Sequence, residues 1–213
     1  MSVICPTVTA YDLHEYRAQI EAVEKFAKQI HIDLMDGVLA PTLSPSLDEI
    51  WLPDNLVSDI HLMYQDIMNV IDRLVELKPN MVIVHAETHQ QNDLPLFATK
   101  MREAGIKTGL ALLPQTTVDE ISYLLPHFQQ VLVFSGNLGH HGGVANLELL
   151  SKITELKKAN RWIEIAWDGG IHDQNALQLV DGGVEVLNVG GFIQGADNPQ
   201  SNFETLNELL NNS

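Results

Sequence analysis

Eight short apolar runs rich in β-branched residues recur along the chain: Val3 to Val8, Gln29 to Leu34, Val57 to Leu62, Met81 to Val84, Lys107 to Leu112, Gln130 to Phe134, Trp162 to Trp167 and Val186 to Val189. Runs this short, preceded by turn residues such as Gly105 and Gly182-Gly183, predict buried strands. Between them the period changes. Ile67, Val70, Ile71, Leu74 and Val75 follow the i, i+3, i+4, i+7, i+8 spacing of an amphipathic helix. Similar stretches run from Leu13 to Lys28, Leu94 to Ala104, Val118 to Leu125, Leu147 to Lys158, Gln174 to Val180 and Phe203 to Leu210. Ser201 and Glu204 suit a capping box for the last of these.

Strand and helix alternating throughout imply a parallel sheet covered by helices, and eight such units predict closure into an α/β barrel occupying residues 1–213 as a single domain. The second unit is the weakest. Ala40 to Asp54 carries Pro41, Pro45 and Pro53 and supports only a short helix or an ordered loop. No flexible linker, low-complexity tract or short-period repeat interrupts the pattern, and Asn211-Asn212-Ser213 reads as a fraying end.

Charge narrows the partners. With 28 acidic against 12 basic side chains the formal charge is -16, which opposes nucleic acid and anionic membrane, so any anionic substrate must be held locally. The single cysteine, Cys5, cannot form an internal disulfide. The chain shows no charged-then-apolar leader and no apolar run long enough to span a bilayer, so a cytoplasmic location is expected.

The candidate chemistry sits on the strands. His31 and Asp33 are two residues apart and must share one face. Polar residues end three later strands, at His61-Leu62-Met63, His85-Ala86-Glu87 and Asp168-Gly169-Gly170. In barrels of this kind the active site lies at the carboxyl ends of the strands. Singly, each histidine reads as an ordinary hydrogen-bonding side chain and Asp168 as a turn residue. At one rim, His31, Asp33, His61 and Asp168 form a two-histidine, two-carboxylate set suited to a borderline divalent ion such as zinc, iron or manganese. Carboxylates on opposite sides of a bound carbon acid permit proton removal from one face and return to the other, which is epimerisation. They need opposite protonation states at the start, and a nearby cation separates their pKa values.

Glycines cluster late, at Gly136, Gly139, Gly142-Gly143, Gly169-Gly170 and Gly190-Gly191, each group following a strand. Their amides can approach an anion such as phosphate, or they simply make tight βα turns. Met35 and Met63 share the inward faces of Asp33 and His61, either as walls around the reacting carbon or as core packing. His85 with Glu87 orients substrate or supports the site from behind. His140-His141 supplements phosphate or sugar binding or is solvated, while His14, His89, His127 and His172 read as surface.

Taken in order, these motifs resemble the ribulose-phosphate 3-epimerase family across nearly the whole chain. The resemblance runs through Ile4-Cys5-Pro6, HIDLMDG at 31 to 37, Asp59-Ile60-His61-Leu62-Met63, Val84-His85-Ala86-Glu87, GLALLPQTTVDEI at 109 to 121, DGGI at 168 to 171 and Val189-Gly190-Gly191. It implies a TIM barrel with a divalent ion (zinc, iron, manganese or cobalt) on His31, Asp33, His61 and Asp168, and with Asp33 and Asp168 as acid and base. It also implies a phosphorylated ketose lying against His61, Met35 and Met63, phosphate contacts at Gly139, Gly142, Gly169, Gly170, Gly190 and Gly191, and homo-oligomerisation.

The expected reaction is metal-dependent 3-epimerisation of D-ribulose 5-phosphate to D-xylulose 5-phosphate through an enediolate. Departures from the family keep two alternatives open. Ala10 stands for a serine, Thr42 for an asparagine, Phe134 for a methionine, and Asn137-Leu138-Gly139-His140-His141-Gly142-Gly143 for a loop reading Asn-Pro-Gly-Phe-Gly-Gly-Gln. Each is expected at a substrate-facing motif, where a lost hydroxyl partner costs about 1 to 3 kcal/mol. The alternatives are a hexulose-phosphate epimerase of the allulose 6-phosphate type and a catalytically inactive phosphate-ligand binder. A lyase on the same barrel fits less well, because such relatives place lysine within Asp-x-Lys-x-x-Asp whereas HIDLMD carries isoleucine and leucine between its polar residues.

Overall fold

Alternation within the strands decides where the two halves of the core go. In β2 (Gln29–Met35), Ile30, Ile32 and Leu34 point one way and His31, Asp33 and Met35 the other, and all six are buried. In the computed structural model, which describes residues 2–88 and 91–211, the first set packs under helices and the second enters a barrel. The eight strands are β1 (Val3–Thr9), β2, β3 (Val57–Met63), β4 (Met81–His85), β5 (Lys107–Leu112), β6 (Gln130–Phe134), β7 (Glu164–Asp168) and β8 (Val186–Val189). They pair in sequence order, all parallel, and β8 closes on β1. The molecule is a (β/α)8 TIM barrel of the α/β class.

Outward apolar positions of the strands form one large cluster with the helices α1 (Leu13–Val23), α2 (Ile71–Leu77), α3 (Leu94–Glu103), α4 (Val118–Ile121), α5 (Leu150–Ala159), α6 (Ala176–Asp181) and α8 (Pro199–Asn211). A short α7 (Gly191–Gln194), not foreseen from periodicity, follows β8. Inside the barrel Cys5, Met81, Ile83, Ala111, Leu132, Ala166 and Val186 fill the interior with apolar volume. At the amino-terminal end of β3, buried Asp59 accepts hydrogen bonds from Gln29 Nε2 and Asn80 Nδ2, both 2.6 Å. These contacts satisfy a carboxylate buried toward the amino-terminal face of the barrel.

Several helices end earlier than their apolar spacing predicts. α1 stops at Val23, and Phe26 and Ala27 stay packed on the core through a turn whose amides bond Val23 O. α4 stops at Ile121 and the chain resumes as a 3₁₀ turn, Leu125–His127, with Pro126 in its first turn, where a missing N–H costs no hydrogen bond. The Ser201–Glu204 capping box does not form. The helix begins at Pro199, and Asn198 Oδ1 accepts from Ser201 N at 3.2 Å in its place. A capping box does form at α4, between Thr117 and Glu120. The proline-rich second connection is an ordered loop, held by Asp36, whose carboxylate accepts from the amides of Val38, Leu39 and Gln65. No helix among the described residues is long and apolar enough to cross a membrane. His89 and the terminal Asn212 and Ser213 lie outside the described residues.

Candidate active site

Parallel register brings the polar inward positions together. Asp33 pairs with Thr9 on one side and His61 on the other, and Asp168 pairs with Phe134 and Asn188. His31 and His61 lie mid-strand rather than at strand ends, one step deeper in the barrel than the sequence predicts, whereas His85 and Asp168 do end their strands. His31, Asp33, His61 and Asp168 converge, and one ligand atom from each lies within 4.8 Å of all the others. All four side chains are buried. His31 Nε2 stands 3.4 Å from Asp33 Oδ1 and 3.5 Å from Asp168 Oδ2, and His61 Nδ1 stands 3.0 and 3.7 Å from the same two oxygens.

The proton count of this cluster is short by one positive charge. His61 Nδ1 meets Asp33, His61 Nε2 meets His85 Nε2 at 2.9 Å, and His85 Nδ1 meets Glu87 Oε2 at 3.2 Å. Three gaps need three donors, yet two neutral imidazoles carry only two N–H groups. Glu87 also accepts from Leu113 N at 2.9 Å and from Thr116 Oγ1, and its carboxyl is held below the usual range: burial raises it, but the His85 contact outweighs that. The acceptor end at Glu87 therefore draws the N–H of His85, His85 draws that of His61, and His61 turns a lone pair toward Asp33. A cation reconciles those facing lone pairs. His31 Nε2 and Asp168 Oδ2 have no hydrogen-bond partner although both are buried, which the same cation would remedy. Donor types and spacing thus fit a divalent metal.

Without a metal, His31 supplies the charge. Burial alone depresses it, but the two carboxylates of Asp168 and Asp33, 3.5 and 3.4 Å from its Nε2, outweigh that and push its pKa up to about 10. Asp33 is held far below the carboxylate range, because contacts with His31 and His61 outweigh the burial that raises it. His61 is lowered, chiefly by burial.

Above the cluster opens a cavity of about 380 Å³. Asp33, Met63, Phe134 and Asp168 line its floor, and Gly139, Gly142, Gly169, Gly170, Gly190 and Gly191 line its upper wall. Gly169 and Gly170 have φ of +110° and +69°, and a Cβ on either would overlap neighbouring backbone, of Gly136 and of Ala145 respectively. Their carbonyls are tied back into the protein by Trp167 Nε1 at 3.0 Å and Asn175 Nδ2 at 2.8 Å. Met35 packs with Met63, Ala40 and Leu138 beside the cavity.

Some expected positions move. His172, read as surface, lines the cavity together with His140 and His141. Ala10 and Thr42 do not line it: Ala10 packs in the outer core, and Thr42 Oγ1 donates to Gly139 O at 2.6 Å, tethering the 137–143 loop. Phe134 does face the cavity, and its ring stands about 6 Å from those of His61 and His85. Thr7, Thr9 and Asn188, which no motif of the sequence singles out, also line the cavity. Thr9 Oγ1 donates to Asp33 Oδ2 at 2.7 Å. Cys5, Thr7 and Thr9 alternate with apolar neighbours, so the period that exposed His31 and Asp33 applies to them as well.

A family model described as "Ribulose-phosphate 3 epimerase family" matches residues 3–193. The chain belongs to that family. Its relatives include the ribulose-phosphate 3-epimerase of Synechocystis sp., 29% identical over 92% of this chain and 89% of that protein, and that of Bacillus subtilis, 30% identical over 92% and 93%. The fold also matches the crystal structure of 3-hexulose-6-phosphate synthase from Salmonella typhimurium, with a TM-score of 0.74 at 16% identity over 100% of this chain and 99% of the other.

Proposed function

We propose that the chain interconverts D-ribulose 5-phosphate and D-xylulose 5-phosphate by proton transfer at C3 through an enediolate. The observation that supports this is that a carboxylate oxygen of Asp33 on β2 and one of Asp168 on β7 lie within 4.8 Å of each other, near enough to flank a single carbon. Asp33 is the ionised partner, held so by His31 and the Thr9 hydroxyl, and it takes the proton from C3. Asp168 delivers a proton to the opposite face, and the reverse reaction exchanges the two roles. His31, Asp33, His61 and Asp168 would hold a divalent metal, which when bound acts as a Lewis acid toward the oxygen on which charge develops.

Substrate phosphate is held by the glycine wall, with Gly142, Gly170 and Gly190 supplying backbone rather than side-chain contacts. No lysine or arginine lines the cavity among the described residues, so backbone amides and the rim histidines take on the work of offsetting a charge of -16. The same absence of lysine disfavours the lyase chemistry considered above. Asp33→Asn and Asp168→Asn should each slow solvent deuterium incorporation at C3 by about a thousandfold or more, with the fold retained by circular dichroism. Full exchange in both variants would refute the assignment. A panel of pentulose and hexulose phosphates assayed in parallel decides which ketose the wild-type chain prefers.

A further inference from the structure

Strand β8 reads Val186-Leu187-Asn188-Val189, one amide in an apolar run, and that amide is 2% exposed. Asn188 lines the cavity, yet its Nδ2 finds no hydrogen-bond partner. Buried polar groups in native proteins are nearly always satisfied, so the orphan points to a partner that arrives with a ligand. Its height in the barrel says which part of the ligand. By Cα register Asn188 sits level with Asp168 on β7 and Cys5 on β1. Gly190, two residues on and therefore on the same face, belongs to the glycine wall and lies about 6 to 7 Å further along the strand.

We infer that Asn188 recognises the hydroxyl on the carbon between the reacting carbon and the phosphate, C4 of a ketopentose 5-phosphate, and so acts as a specificity-determining residue. This rests on the epimerase reading for the identity of the carbons at either end. With C3 beside Asp168 and the phosphate on C5 against Gly190, C4 lies one bond from C3 on the path from Asn188 to Gly190 along β8. A carboxamide both donates and accepts, as a hydroxyl does, and can satisfy it in either orientation. The alternative, that the amide serves only the packing around Cys5, predicts no dependence on that hydroxyl.

The test uses zinc-loaded protein and two ligands without a carbonyl, D-ribitol 5-phosphate and its 4-deoxy analogue, which bind but cannot undergo C3 proton transfer. Wild type should bind the hydroxylated ligand roughly tenfold more tightly by titration calorimetry. Asn188→Val should bind the two within twofold of each other while keeping wild-type affinity for the 4-deoxy compound. A retained preference, an equal loss for both, or no binding of either by wild type overturns the inference. Should the valine variant melt far below wild type, Asn188→Ala is read by the same criteria. Deuterium exchange at C3 by wild type is measured separately: its absence sinks the epimerase reading, whereas the ligand comparison still decides the role of Asn188.

Discussion

Binding a divalent metal should expel a proton from His31, and removing the metal should make the fold pH-sensitive in a definite direction. His31 is 1% exposed, and between Asp33 and Asp168 its pKa is pushed up to about 10, against about 6.5 in an unfolded chain. A raised histidine contributes stability that is fully present below pH 6.5 and is lost as pH climbs through 10. At 1.36 kcal/mol per pH unit, the interval from 6.5 to about 10 corresponds to roughly 5 kcal/mol of metal-free stability. At pH 8, His31 of the metal-free protein is almost wholly protonated, while His61 is lowered and Asp33 is ionised, so zinc displaces one proton from this set. Titration calorimetry at pH 8 in buffers of different ionisation enthalpy reads that proton directly. Metal-free Tm should fall from pH 7 to 10, whereas zinc affinity should rise about tenfold per pH unit over the same range. His31→Gln serves as the control and should lose both dependences. A wild-type protein that releases no proton, or whose metal-free Tm is level or rising with pH beyond that of His31→Gln, would refute the reasoning.

Two further outcomes follow from the groups around the cluster. Glu87→Gln removes the negative charge that draws the His85 N–H and, through it, orients His61, so zinc affinity measured by chelator competition should drop about 10- to 100-fold with the circular dichroism spectrum unchanged; unchanged affinity would show that His61 is oriented by other means. Gly170→Ala places a Cβ against the backbone of Ala145 at a φ of +69°, and should cost about 2 kcal/mol or more in urea unfolding and raise KM for a phosphorylated ketose more than it lowers kcat. A variant with wild-type stability and KM would remove Gly170 from the phosphate wall.

How much of this could be read from residues alone depends on which physical rule places them. Strand parity is local and strict: once Ile30, Ile32 and Leu34 face the helices, His31 and Asp33 must face the barrel, and the same holds for His61 beside Ile60 and Leu62. Convergence of residues from β2, β3 and β7 then needs only closure of a parallel sheet, which brings equivalent heights of distant strands together. Parity gives direction but not depth, so the histidines prove to be mid-strand, and Asn188 becomes informative only when its level relative to Asp168 and Gly190 is known. Helix ends are less legible, because an apolar residue can stay on the core after the helix has stopped, as Phe26 and Ala27 do. Loops obey neither period. Thr42 reaches Gly139 across 97 positions of sequence, and His172 comes to the cavity on a turn shaped by Asn175, contacts that exist only after the barrel has closed. The chemistry of this site is therefore written in the strands, and its selectivity is divided between Asn188 of β8 and the loops. Exchanging the 137–143 loop should accordingly alter which ketose phosphate is accepted while leaving the metal set and the His61–His85–Glu87 chain intact.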